Sequence, residues 1–308
     1  LTSSRPEGFV LPDPGLDARI AVGLGQVEVL LRESVVSEYP FVTDAARHLV
    51  DAGGKRFRPL LTLLAAQFGD PASAEVTSSA VVVELTHLAT LYHDDVMDEA
   101  SLRRGADSAN ARWDNTVAIL TGDFLFARAS DLLADLGPDA VRIQARTFER
   151  LCTGQIRETV GPAEGEDPIT HHVSVLADKT GSLIATAGRF GAMMSGAPDE
   201  TVETLATFGE RIGVAFQLAD DLVDIGSEHS QSGKTPGTDL REGVATLAVL
   251  YARTSTDSAD ARLIHLTSGP IHDDAEHAEA LALLRAQVQP LDGLLEAFAQ
   301  IGLHFLNA

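Results

Sequence analysis

The chain has 308 residues, enough for one large domain or two ordinary ones. With 44% apolar and 22% charged residues it has the balance of a soluble globular protein with ample material for a core. Its formal net charge of −22 repels nucleic acid and anionic membranes, which excludes proteins that bind through a basic footprint. Cys152 is the one cysteine, so neither an internal disulfide nor a C-x-x-C zinc site can form. No basic segment followed by an apolar run opens the chain, and no stretch reaches about eighteen uninterrupted apolar residues. A cytoplasmic protein without an integral membrane segment is expected.

Prolines bound the elements, and the longest proline-free stretch runs from Ala72 to Gly137. Leu16 to Tyr39 reads as an amphipathic helix with Ile20, Val27, Leu30, Leu31 and Val35 on one face. Breaks at Gly53-Gly54 and Gly69-Asp70-Pro71 precede Ala74 to Met97, which is apolar nearly all round, as in a helix buried within a bundle. Trp113 to Leu136, Asp139 to Val160 and Gly181 to Ala197 also read as helices, and Thr201 to Ile225 is again apolar nearly all round. No alternating strand pattern bounded by hairpin turns occurs. The breaks have neither the length nor the low complexity of an interdomain linker, so one all-α domain spanning 1–308 is expected. The segment after Thr256 carries the least pattern.

Two short motifs repeat one chemistry. Asp94-Asp95-Val96-Met97-Asp98 ends the first apolar helix, and Asp220-Asp221-Leu222-Val223-Asp224 sits late in the second. Residues i and i+4 share a helix face, so Asp94 stacks on Asp98 and Asp220 on Asp224. Like charges so placed repel, and burying them unpaired costs several kcal/mol or raises their pKa values. A divalent cation removes the conflict, and Mg²⁺ takes one or two carboxylates while water and phosphate fill its remaining positions. His272-Asp273-Asp274-Ala275-Glu276 is read more simply as a helix N-cap with acids in the first turn.

The basic residues are 20 Arg and only 3 Lys. Lys55, Lys179 and Lys234 each lie within two residues of a glycine at an expected element boundary, where a compact ammonium can reach an anion. Arg58, Arg103 and Arg104 add further cations. Acid pairs and basic residues in one cavity suit a metal-bound polyanion. Ser232-Gly233-Lys234-Thr235 lacks the glycine and strand of a P-loop, and no G-x-G-x-x-G, G-x-S-x-G or H-E-x-x-H occurs. His171-His172 is read as a solvated pair in a polar connection. Cys152 is read as a small core residue, and His93 as either a site neighbour or a helix-packing group.

In combination, Gly-Gly-Lys55-Arg56-Phe57-Arg58-Pro59, His87, Asp94-Asp95-x-x-Asp98 with Arg103-Arg104-Gly105, Lys179-Thr180, Gln217-x-x-Asp220-Asp221-x-x-Asp224 and Lys234 resemble the trans-isoprenyl (polyprenyl) diphosphate synthases. The motif-bearing core runs from about Ala45 to Leu250. The resemblance implies an all-α bundle of the isoprenoid synthase type around a deep central cavity, a homodimer, and Mg²⁺-dependent head-to-tail condensation of isopentenyl diphosphate with an allylic diphosphate. It implies that Asp94, Asp98 and Asp220 bind Mg²⁺ on the allylic diphosphate, with Asp95, Asp221 and Asp224 in direct or water-mediated support. It places Arg103, Lys179 and Lys234 on the same diphosphate. Lys55, Arg58, His87 and Arg104 fall on the isopentenyl diphosphate, and Thr180 and Gln217 beside the reacting centre. The departing diphosphate serves as base in this family, in accord with the lack of an evident side-chain base. Val244 and Ala248 stand where the family often has Lys and Pro, and the C-terminal segment matches no pattern.

Ala89 and Thr90, about one turn before Asp94, are small where short-product relatives carry aromatic blocks. A product of geranylgeranyl length or longer is therefore expected, with a floor formed by deeper residues such as Leu85, Val82 or Met193; close packing of helices at small residues is the plainer reading. Two rivals remain at this stage. A class I terpene cyclase would replace the second motif by a mixed Asn/Ser/Glu site. A non-catalytic subunit of a heteromeric synthase would lose aspartates, and this chain keeps all six.

Overall fold

The computed structural model describes residues 11–226 and 237–288. Its helices in chain order are α1 (Pro14–Ser34), α2 (Pro40–Asp51), α3 (Phe57–Ala65), α4 (Ala74–Met97), α5 (Ala109–Arg112), α6 (Asn115–Leu136), α7 (Pro138–Val160), α8 (Pro168–Leu176), α9 (Ser182–Met194) and α10 (Asp199–Gly226). Four more follow: α11 (Thr238–Glu242), α12 (Leu247–Thr254), α13 (Ala261–Leu266) and α14 (Asp274–Val288). The fold is all-α. Among the described residues the exception is a minimal hairpin, β1 (Leu102–Arg103) paired antiparallel with β2 (Ala106–Asp107), too short to leave an alternating pattern in the sequence. No helix among them is long and apolar enough to cross a membrane.

The residues group into two compact units. The first comprises the chain to Leu151 with Gly181–Glu210, and the second Cys152–Thr180 with the chain from Arg211. In the first unit, Asp13 caps α1 by accepting from the amides of Gly15 and Leu16, and Pro14 starts the helix where its missing N–H costs nothing. Ile20, Val27, Leu31 and Val35 are buried as their spacing predicts, with Leu30 packed beside them, but α1 ends at Ser34 and the chain turns into α2 at Pro40. Helix α4 is the core element. Val81, Val82, Val83, Leu85, Leu88 and Tyr92 are fully buried in it, and the Tyr92 hydroxyl donates to the Ala45 carbonyl and accepts from the Leu49 amide, locking α4 to α2. Gln144 on α7 donates to Thr86 on α4 at 2.7 Å, and Thr147 bonds Thr186 on α9 at 2.6 Å. These bonds satisfy hydroxyls that burial otherwise penalises.

Helix α10 departs from its expectation. Phe208 and Glu203 on its first half are exposed, so unlike α4 it is not buried all round. The second unit has its own core, in which Ile225, Leu240, Val249, Leu263, Ile271 and Leu284 pack together. Here Asp273 accepts from the amides of Ala275 and Glu276, so the His272-Asp273 segment is the helix cap its sequence suggests.

Candidate active site

A cation cluster occupies the first unit. The Gly53-Gly54-Lys55-Arg56 turn leads into α3, with Arg56 in the left-handed region at φ 47° as its N-cap. The Arg56 side chain is buried and bonds Glu28 on α1, Glu84 on α4 at 2.9 Å and the Val50 carbonyl at 2.9 Å. Arg104 donates to the carbonyls of Leu49 and Gly53, and Gly54 lies against its guanidinium with φ 146°, a conformation that strains any residue with a Cβ. Arg58 is the second residue of α3, its Nε buried without a hydrogen-bond partner. Burial lowers the Arg58 pKa to about 10, with Arg104 adding to the shift and Glu84 opposing it, so the group stays charged near neutral pH. His87 on α4 faces this cluster. Burial, then Arg58, Arg104, Arg56 and Arg103, hold its imidazole well below the ordinary value, so it is a neutral donor. Arg58, His87 and Arg104 therefore form one half-buried set of donors beside buried Arg56, next to the loop that carries half-buried Lys55.

The first acid motif closes α4. Asp94 is half-buried, Asp98 is the exposed C-cap one turn on, and Asp95 is fully buried. Arg103 in β1 donates from Nε to Asp95 Oδ1 at 2.6 Å. Burial pushes the Asp95 carboxyl up while Arg103 pulls it back, and Oδ2 is left buried with no hydrogen-bond partner. Asp98 thus presents its carboxylate at the surface with half-buried Asp94 one turn before it, whereas Asp95 orients Arg103. An all-oxygen pair fits a hard cation that completes its shell with water and phosphate. Among the described residues no group of three or more His, Cys, Asp or Glu side chains is placed to hold a metal ion.

Lys179 and Thr180 of the second unit lie in a π-helical turn, Ala177–Gly181; such turns recur at functional sites. Lys179 pairs with Glu158 at 2.6 Å. Thr180 donates to Gln217 at 3.4 Å, Gln217 donates to Asp221 Oδ1 at 3.3 Å, and His172 Nε2 lies 3.7 Å from Asp221 Oδ2. Asp221 is buried and Asp220 half-buried. Asp224 accepts from the amides of Thr238 and Asp239 through its two carboxylate oxygens, at 3.4 and 3.3 Å. Lys234 lies outside the described residues.

Several sequence readings are corrected here. His171 and His172 are not solvated: they sit on α8, where buried His171 approaches the Arg157 carbonyl at 3.2 Å and Glu166 at 3.1 Å. Cys152 is exposed on α7, not in the core. His93 resolves as a packing group, 3.0 Å from the Ile119 carbonyl on α6. Ala89 is fully buried against α6, where a Cβ on Gly122 would come 3.1 Å from its carbonyl, whereas half-buried Thr90 shares the face of Asp94. Sequence reading missed Glu28, Glu84 and His172. The signal for the glutamates was a carboxylate inside an apolar stripe, between Leu24 and Leu31 and between Val83 and Leu85.

The sequence matches the polyprenyl synthetase family over residues 39–284. It is 55% identical over 280 residues to the nonaprenyl diphosphate synthase of Mycobacterium tuberculosis, covering 91% of this chain and 84% of that one. It is 44% identical over 276 residues to a dimethylallyltranstransferase of the same organism, covering 89% and 84%. A geranylgeranyl pyrophosphate synthase of Corynebacterium glutamicum, solved with calcium and isoprenyl diphosphate, superposes with a TM-score of 0.82 at 49% identity, covering 97% of this chain and 93% of the other. With helices, cation cluster and acid motifs all placed, the chain belongs to the polyprenyl synthetase family of trans-isoprenyl diphosphate synthases. It is a prenyltransferase that makes polyprenyl diphosphates.

Proposed function

We propose that the chain condenses isopentenyl diphosphate head-to-tail with an allylic diphosphate in a Mg²⁺-dependent reaction, giving a product of geranylgeranyl length or longer. The observation that carries this reading is the half-buried donor set Arg58, His87 and Arg104 in the same unit as half-buried Asp94 and exposed Asp98. The donor set suits one metal-free diphosphate, and the carboxylates suit a second that arrives with its cation.

In this reading Lys55, Arg58, His87 and Arg104 bind isopentenyl diphosphate, with neutral His87 donating a hydrogen bond. Asp94, Asp98 and Asp220 hold magnesium, which when bound neutralises the departing allylic diphosphate. Arg103, aimed by Asp95, and Lys179 and Lys234 grip that diphosphate as negative charge grows on it, the kind of preorganised electrostatics that contributes most to catalysis. Lys179 exchanges its Glu158 partner for phosphate oxygen. Thr180 and Gln217, held by Asp221, orient the reacting centre, and the released diphosphate takes the proton. The exposed apolar side chains Val36, Tyr39, Phe41, Ile119 and Leu120 support a homodimer, and a cytoplasmic location belongs to the same proposal.

Product length is set first at Thr90, on the Asp94 face, while Ala89 acts through the seam with α6. Products named for relatives, nonaprenyl and geranylgeranyl, favour a long chain. The test is incubation with Mg²⁺, isopentenyl diphosphate and geranyl, farnesyl or geranylgeranyl diphosphate, with product sizing. No turnover from any primer by folded protein would overturn the function. Thr90→Phe should shorten the product, and unchanged length would remove this position from the gate.

A further inference from the structure

Four guanidinium groups, those of Arg56, Arg58, Arg103 and Arg104, act on one another and on His87 in the first unit, and like charges so close repel. Arg104 disfavours the charge on Arg58, and Arg56 and Arg103 disfavour that on Arg104. Two carboxylates oppose this repulsion. Glu84 is 2% exposed in the middle of the buried helix α4 and bonds Arg56 through Oε1 at 2.9 Å. Glu28, on α1, bonds the same guanidinium at Nε. Their reach extends past Arg56, since the Glu84 charge also favours the charged forms of Arg58 and Arg104.

We propose that Glu84, backed by Glu28, is a positioning residue for the isopentenyl diphosphate site: a fixed counter-charge that holds Arg56, and through it the Gly53–Arg58 turn, in place before the ligand arrives. The inference rests on the assignment of Lys55, Arg58 and Arg104 to that diphosphate. Arg56 is the mechanical link. Its bonds to Glu28, Glu84 and the Val50 carbonyl pin a residue in a left-handed conformation that non-glycine residues seldom adopt. That pinned residue lies between Lys55 and Arg58, so their direction follows from it. The Gly53 carbonyl receives Arg104 from the other side, so the turn and the β1–β2 hairpin are aligned by one set of bonds. A buried carboxylate confined to structural service would leave ligand affinity alone. One that preorganises cations lowers the cost of gathering them round an anion.

Steady-state kinetics of full-length Glu84→Gln and Glu28→Gln, with each substrate varied in turn, test this. Glutamine keeps the shape and can still accept from Arg56, so only the charge is removed. For Glu84→Gln the KM for isopentenyl diphosphate should rise about tenfold, the worth of one charge-assisted bond, while KM for the allylic diphosphate and kcat stay within about twofold. Glu28→Gln should shift the same KM by about threefold, and Glu84→Asp should recover part of the loss. Equal changes in both KM values, or none in either, would overturn the proposal, whatever happens to thermal stability. If Glu84→Gln fails to fold by circular dichroism, the same KM split in Glu28→Gln decides. Titration calorimetry of wild-type protein with isopentenyl diphosphate separates the two failures. No binding sinks the site assignment and this inference together, whereas wild-type binding with unshifted variant KM values sinks the inference alone.

Discussion

The two acid motifs have the same sequence pattern and different local structures. In both, the second aspartate turns inward and is spoken for by a protein side chain: Asp95 by Arg103, Asp221 by Gln217 and His172. In both, the first aspartate, Asp94 or Asp220, stays half-buried. The third positions part company. Asp98 is an exposed C-cap, while Asp224 receives two backbone amides at the start of α11. A run of three carboxylates is therefore not three equivalent ligands. Position within the helix, and what the next segment offers, divides them into groups that can meet a cation and groups that hold the site's own parts in register.

The largest effect should come from the first aspartates. Asp94→Ala and Asp220→Ala should each lower kcat for condensation by at least about a hundredfold, the scale of losing a preorganised electrostatic group. Near-normal turnover in either variant would break the parallel between the motifs. The second aspartates should matter less and through their partners. Asp95→Asn should cost about tenfold in kcat/KM for the allylic diphosphate, because Arg103 loses the charge that aims it. A double-mutant cycle with Arg103→Gln checks this: the two losses should overlap strongly, since residues in one ion pair are coupled. Additive losses would mean that Asp95 acts on the ligand by itself.

Much of this arrangement was legible in the sequence, for physical reasons that can be named. Helix α4 was visible because burial leaves apolar residues on nearly every face, and the acid motif at its end was conspicuous against that background. Helix α10 carries a similar run, yet Phe208 and Glu203 are exposed, because composition records apolar content and not which surfaces find a partner. The sequence reading stops before Pro40 but carries α1 on to Tyr39, whereas the helix ends at Ser34, because the apolar spacing continues through Val35. Three-dimensional pairings leave a weaker trace. Glu28, Glu84 and Arg56 are separated by 28 residues at each step, and only a charge inside an apolar stripe hints that they meet. His172 gave less still, because two adjacent histidines in a polar segment look the same whether wet or packed against Asp221.

The third aspartates give the smallest effect and the cleanest separation of roles, because stability and activity should move in opposite directions. A carboxylate at a helix C-terminus faces the negative end of the dipole, and Asp98 also lies one turn from Asp94, so its charge is unfavourable twice over. Asp98→Ala should leave the melting temperature unchanged or slightly raised while condensation falls. Asp224→Ala removes the acceptor of two backbone amides and should cost about 1 kcal/mol, a melting temperature lower by roughly 1–2 °C for a chain of this size. Asp224→Asn, which keeps an acceptor oxygen, should restore most of that stability. Scanning calorimetry of the three variants beside a condensation assay reads both quantities. If Asp98→Ala melted early, or Asp224→Ala kept full stability, the two ends of the motifs would be doing the same job and the distinction drawn from their bonding would fail.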